Sequence, residues 1–255
     1  MVELAQALSG FIVGIVVGLT GVGGGSLMTP ILVLLFGIHP ATAVGTDLLH
    51  AAITKAGGTY VHAKNGRVEW RITGLLAAGS LPAAVITLLA LHYLTNGPAG
   101  SRIITTTLGV SLVITAAALI WRTRLRRFSK QHPTEITRHP AFTVLTGAVL
   151  GVVVTLSSVG AGALGITALF FLYPRLPAAR LIASDLAHAV PLTLVAGLGY
   201  WLFGDVNWIL LGSLLVGSLP GIYLGSHLAG RVPEVILRFL LATMLMLVGA
   251  KLITF

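Results

Sequence analysis

Two pairs of ionisable residues lie inside otherwise apolar stretches: Asp47 and His50 in VGTDLLHA, and Asp185 and His188 in IASDLAHA. A spacing of three residues puts both members of a pair on one face of a helix. Asp47 falls about 10 Å along a helix that begins near Ala41, deep inside a bilayer. Burial disfavours a carboxylate and a neighbouring imidazolium favours it, so the opposing effects can place a titration near working pH. The chemistry this suits is proton exchange, and an ionisable residue inside a membrane reads as functional because its burial is expensive. The plainer alternative is a structural Asp–His pair, or an aspartate capping broken backbone. Lys55 follows one or two turns beyond His50. It could attract an anion, balance Asp47 or snorkel to the interface; Thr193 holds the matching place in the second stretch.

A second duplicated feature offers a site for an anion. GIVVGLTGVGGGSL, from Gly14 to Leu27, and GVVVTLSSVGAGAL, from Gly151 to Leu164, are apolar segments broken by glycines where a membrane helix should continue. Paired interrupted segments in the two halves of a chain point to a transporter's substrate site. Non-helical backbone at membrane depth must line a cavity or be buried in protein. Gly21, Gly23, Gly24 and Gly25, and Gly160, Ala161 and Gly162, would present backbone N–H groups at the start of a second half-helix, where the helix dipole also favours an anion. Thr20, Ser26, Ser157 and Ser158 add hydroxyls. The alternative is that these glycines only let helices pack closely. Packing is the reading for Gly10, Gly14 and Gly18 and for Gly217, Gly221 and Gly225, spaced by four; the contact is either within one chain or between two copies in a homodimer.

Composition sets the medium. Of 255 residues, 56% are hydrophobic and 9% charged, against about 25% charged in a soluble domain. The mean hydropathy is +0.97, and apolar stretches long enough to span a bilayer run through the whole chain. Strand-like alternation is absent, which favours helices over a barrel. The net charge of +9 does not indicate nucleic acid, because the basic residues sit in short loops between apolar segments. There is no cysteine, hence no disulfide or thiolate site, and no metal-ligand spacing such as H-E-x-x-H. No cofactor is expected. The first residues lack a basic n-region and a small-residue cleavage site, so no removable signal peptide is expected. His62, His92, His132 and His139 are expected near span ends or in loops, and Trp70, Trp121, Trp201 and Trp208 in an aromatic belt.

The two halves align over most of their length. Gly14, Leu19, Val22, Gly23, Gly25 and Leu27 match Gly151, Leu156, Val159, Gly160, Gly162 and Leu164. Pro40 matches Pro177, and after a one-residue slip Asp47 and His50 match Asp185 and His188. Trp70 and Gly74 match Trp208 and Gly212, and the GSLP run 79–82 matches 217–220. Apolar segments are predicted near 3–36, 40–62, 70–94, 101–121, 140–173, 177–203, 207–229 and 233–255. The first and fifth would reach about 50 Å as continuous helices, against a hydrocarbon core of about 30 Å. Each is therefore a tilted, kinked span or a hairpin that folds back at the glycines. With both folded back, all of the 16 Lys and Arg except Arg102, Lys251 and Lys55 fall on one side, the cleaner positive-inside pattern. The expected fold is an all-α polytopic membrane protein. It has two inverted repeats, each of three transmembrane helices plus one glycine-broken re-entrant helical hairpin. Residues 1–121 form the first repeat, 122–139 a basic cytoplasmic linker loop and 140–255 the second repeat, with both termini outside.

The run GVGGGSLMTPILVLLFG, then ATAVGTDLL, then GSLPA, with a repeat of all three, resembles the sulfite exporter TauE/SafE family of membrane transporters. The resemblance covers nearly the whole chain, and the glycine block with Leu27, Pro30, Leu32 and Gly37 carries most of it. It implies movement of a small sulfur-containing anion, sulfite or an organosulfonate, outward across the bacterial inner membrane. Many members carry serine where Asp47 stands; acids at this position in both halves point to a proton that offsets the anion's charge. The expectation is a proton-coupled secondary transporter whose partners are the anion, protons and the lipid bilayer. An anion channel with the same glycine-lined site is the alternative. An enzyme is not expected, since intramembrane aspartyl catalysis needs a carboxylate pair sharing a proton and each aspartate here has a histidine instead.

Overall fold

The computed structural model describes residues 2–20, 25–94, 98–131, 140–160, 162–228 and 234–254. Among them every regular element is a helix. The first half holds α1 (Val2–Thr20), α2 (Gly25–Leu34), α3 (Pro40–Lys64), α4 (Trp70–Leu94) and α5 (Pro98–Gln131). The second holds α6 (Pro140–Ser157), α7 (Leu164–Leu172), α8 (Ala178–Leu202), α9 (Trp208–Leu228) and α10 (Glu234–Thr254). The elements of one half recur in the other in the same order, and the first four pairs have similar lengths, whereas α5 has 34 residues and α10 has 21. The second long apolar segment breaks where its glycines fall, between α6 and α7; residues 21–24, between α1 and α2, lie outside the described residues.

Among the described residues, five helical stretches are long and apolar enough to cross a membrane: Trp70–Tyr93, Arg102–Ile120, Pro140–Ser157, Ala178–Leu202 and Trp208–Gly225. Helix α3 has the length, but Thr46, Asp47, His50, Lys55 and His62 interrupt its apolar surface. The expected linker begins later than residue 122, because α5 continues to Gln131. Arg, Leu, Lys and Gln are good helix formers, and no Gly or Pro intervenes to stop the helix. Residues 132–139 lie outside the described residues. Trp70, Trp201 and Trp208 stand at helix ends and are about half exposed or more, as an aromatic belt requires; the Trp121 side chain lies outside the described residues.

The glycine faces are internal contacts. A Cβ added to Gly217 would lie 1.9 Å from the Ala7 carbonyl oxygen, and one on Gly221 or Gly225 would strike the carbonyl of Phe11 or Ile15. Gly10 and Gly14 face Leu214 and Ser218 in return. Numbers rise together, so α1 and α9 run parallel with their backbones nearly touching. The second half repeats the device: Gly79 would strike Val144, Gly147 Leu76 and Gly151 Ser80, so α4 and α6 run parallel too.

Equivalent helices of the two halves instead run antiparallel. Gly45 faces Tyr200, Gly197 faces Leu49 and Gly58 faces Leu186, so α3 and α8 oppose each other. Gly109 faces Ile253 and Gly249 faces Val113, so α5 and α10 do the same. Helix α3 is parallel to α9, since Thr46 meets Asn207 and His50 meets Ser218. Helix α8 is parallel to α4, since Thr73 meets Ser184, Ser80 meets His188 and Leu88 meets Gly199. Leu27 and Met28 of α2 share one buried cluster with Val159 and Ala163 of the second break and with Leu112 and Leu245.

Candidate functional site

The two halves enclose a cavity of about 200 Å³, well above the 30 Å³ or so that one liquid water occupies. Helix α3 contributes Thr54, Lys55, Gly58 and His62; α8 contributes Ile182, Asp185, Leu186 and Ala189. Gly162 from the second glycine break, Ile166 of α7, Val17 and Gly18 of α1, and Ile222 of α9 complete the wall. Thr54, Gly58 and His62 are spaced by four, so one face of α3 lines the cavity for about 12 Å. Lys55 and Asp185 come from different halves and are both buried, at 7% and 1% exposure.

The predicted site residues separate into three groups. Asp185, Lys55 and Gly162 stand in the cavity wall. Asp47, His50 and His188 are buried beside it but not in it. Asp47 accepts a hydrogen bond from the Thr29 hydroxyl at 2.6 Å, and its Oδ1 lies 3.7 Å from Nδ1 of His50. That is close enough for charge pairing and too long for a hydrogen bond. Neither of these two atoms has a hydrogen-bond partner among the described residues. Thr20 and Gly25 end and begin helices around the first break, whereas the Thr20 and Ser26 side chains, Gly21, Gly23 and Gly24, and Ala161 of the second break, lie outside the described residues.

The second break shows how its backbone is held. Gly160 and Gly162 have φ of 112° and 126°, and Ser158 has φ of 58°. A side chain at either glycine would be strained. The Ser157 hydroxyl donates to the Val153 carbonyl and accepts from the Val159 N–H, so it closes the end of α6. Ser158 Oγ is buried with no hydrogen-bond partner among the described residues. At the start of α7, the Leu164 and Gly165 N–H groups donate to the Gly160 carbonyl. The amides offered to a ligand here are consequently fewer than a bare helix start would supply. Asp185 Oδ1 lies only 1.9 Å from where a Cβ on Gly165 would be, so this carboxylate sits directly against the α7 backbone.

Each histidine is bonded to the opposite half rather than to its own aspartate. His50 Nε2 and Ser218 Oγ are 2.7 Å apart; His188 Nε2 and Ser80 Oγ are 2.8 Å apart. Both serines belong to the duplicated GSLP run, which sequence reasoning used only to align the halves. His62 stands at a span end as expected, in the last turn of α3, and it also lines the cavity; its spacing from Thr54 and Gly58 is the signal that could have found that role. Removing one hydroxyl leaves a buried imidazole nitrogen unsatisfied, at a cost of about 1–3 kcal/mol. Ser218→Ala and Ser80→Ala should each lower the thermal unfolding temperature of detergent-purified protein. An unchanged temperature in both would show that the histidines find water or another partner.

The family model described as Sulfite exporter TauE/SafE matches residues 6–252. The chain is 38% identical over 255 residues to "Probable membrane transporter protein YjnA" of Bacillus subtilis, covering 96% of this chain and 98% of that one. It is 27% identical to "Probable membrane transporter protein YdhB" of the same organism, over 80% and 81% of the two chains. A protein of Methanocaldococcus jannaschii with the same description is 29% identical over 74% and 68%. No solved structure matches. The chain belongs to the TauE/SafE sulfite exporter family of membrane transporters.

Proposed function

We propose that this protein is a secondary transporter that exports a small sulfur-containing anion, such as sulfite or an organosulfonate, across the bacterial inner membrane by alternating access. The observation that carries the reading is an asymmetry between equivalent positions. Thr54, Lys55, Gly58 and His62 of α3 line the open cavity. Their counterparts in α8 are Leu192, Thr193, Ala196 and Tyr200, and all four are buried. Around them Val44, Leu48 and Leu88 close the apolar packing, and the Tyr200 hydroxyl donates to the Thr155 carbonyl at 3.0 Å. One sequence pattern is thus open in one copy and shut in the other. A duplicated transporter reaches its second state by exchanging these two arrangements.

The helix directions support inverted repeats with re-entrant segments. A two-fold axis that relates antiparallel helices, α3 to α8 and α5 to α10, lies across them, in the membrane plane. Helices α1 and α3 both run parallel to α9, so α2 and the residues after it return the chain through the membrane. Helices α6 and α8 both run parallel to α4, so α7 does the same. The cavity extends along α3 toward Lys64, Arg67 and Arg71, the end that the positive-inside rule places in the cytoplasm. An anion would enter from there, which favours export. Asp47, His50, Asp185 and His188 are the proposed proton-handling groups, and the glycine breaks the proposed anion-contacting backbone.

The test is a solute panel in proteoliposomes: sulfite, sulfate, thiosulfate, sulfoacetate and taurine, each at two pH gradients. Accumulation of at least one sulfur anion that responds to the pH gradient is expected. Unitary currents without proton dependence would favour a channel. Topology is checked separately. The chain has no cysteine, so single cysteines at position 134 and at the C-terminus report sidedness with an impermeant thiol reagent. The first should label from the cytoplasm and the second from outside. Labelling from the same side would overturn the arrangement of three crossings plus a hairpin.

A further inference from the structure

We propose that Lys55 and Asp185 form a charge-compensated anion site, in which Lys55 binds the transported anion and Asp185 takes up one proton for each anion bound. This rests on the reading of the cavity as the transport site. The two residues come from opposite halves, line one cavity and are both buried. Lys55 is the one lysine or arginine in that wall among the described residues. Asp185 is the one carboxylate in that wall among the described residues.

The argument is one of charge conservation in a poorly solvated space. With Lys55 protonated and Asp185 ionised, the empty pair is neutral. An anion that enters adds a negative charge beside a carboxylate, and at low dielectric that repulsion is large. A proton from the water on the open side, bound to the Asp185 carboxylate, restores neutrality and leaves the ammonium to the anion. Release on the other side returns anion and proton together, so the step is electroneutral for a monoanion. Other titratable groups surround the pair: Asp47, His50 and His62 on α3 and His188 on α8. Asp47 holds the Thr29 hydroxyl, and the two inner histidines hold Ser218 and Ser80. Those three are therefore engaged outside the cavity wall, whereas Asp185 is in it. Thr54 and His62 supply polar contacts along the wall. In the second half Thr193 replaces the lysine, so the pair exists once in the molecule.

The experiment measures sulfite and methanesulfonate exchange and net flux in proteoliposomes, with membrane potential set by potassium and valinomycin. Methanesulfonate keeps a fixed single charge, so any proton carried with it is held by the protein. In the wild type, methanesulfonate flux should change less than twofold with imposed potential and more than fivefold with the pH gradient. Asp185→Asn should reverse this, giving flux that follows potential and ignores pH. Lys55→Gln should lower exchange of both anions at least tenfold. The double variant, whose cavity is again neutral, should not recover. Recovery in the double variant would overturn the proposal, by showing that Lys55 only neutralises Asp185. Potential-driven wild-type flux would overturn the electroneutral step while leaving the cavity as the transport site. Full activity in Lys55→Gln, or transport of neither probe, would overturn both the pair and the cavity reading.

Discussion

Valine in place of Gly217 or Gly79 is expected to remove the folded protein, with no monodisperse fraction recovered from detergent. The added Cβ alone would lie 1.9 Å from a backbone carbonyl oxygen, of Ala7 in one case and Val144 in the other. Neither neighbour is the end of a flexible side chain, so the helices themselves must separate. Overpacking a well-fitted core costs about 1–3 kcal/mol and sometimes more, and a backbone clash repeated along the small-residue face belongs at the upper end. The same α1–α9 and α4–α6 contacts join the first half to the second. Losing either contact opens a seam between the halves, which α3 against α8 and α5 against α10 must then hold alone. Gly74 and Gly212 are repeat-equivalent helical glycines with nothing within 4 Å of an added Cβ, and valine there should leave purification yield and size-exclusion behaviour unchanged. Normal yield from Gly217→Val and Gly79→Val would show that these helices tolerate wider spacing.

Leucine in place of Gly162 is expected to lower transport at least a hundredfold while the protein still inserts and purifies. Gly162 lines the cavity, and its φ of 126° is a region that side chains seldom adopt. Two effects must be separated: backbone strain and a blocked site. Gly162→Ala incurs the strain with little bulk and should retain measurable transport. Gly162→Leu adds a side chain that fills space beside Lys55 and Asp185. Equal loss in both variants would assign the effect to strain, and retained transport in both would remove the glycine break from the substrate path.

Much of this architecture was legible in the sequence because duplication prints it twice. The apolar segments, the break at the second set of glycines and most helical boundaries followed from residue types and spacing, whereas α5 continues to Gln131, past the expected end of its span. What remained hidden was pairing across the halves. The i, i+3 spacing of Asp47 and His50 suggested that each acid bonds its own histidine, yet each imidazole takes a serine from the opposite half. Spacing constrains which side chains share a helix face, not which neighbouring helix that face meets. The same holds for Lys55. The sequence left anion attraction, balance with Asp47 and snorkelling all open for it, and only the antiparallel approach of α3 and α8 brings it into one cavity wall with Asp185. The Gly10 and Gly217 faces could be recognised as contacts, but whether they meet within one chain or between two depended on the packing of α1 on α9.

The central claim is that one duplicated chain exposes equivalent helix faces in turn. Its most direct test is sided labelling of two single-cysteine variants, His62→Cys and Tyr200→Cys, with an impermeant thiol reagent in oriented membranes. The account predicts that cysteine at 62 reacts from the cytoplasmic side while cysteine at 200 is protected. Addition of transported anion should then raise labelling at 200 from the outside and lower it at 62. Labelling of both positions from one side, or labelling at 200 that never changes with substrate, would contradict it.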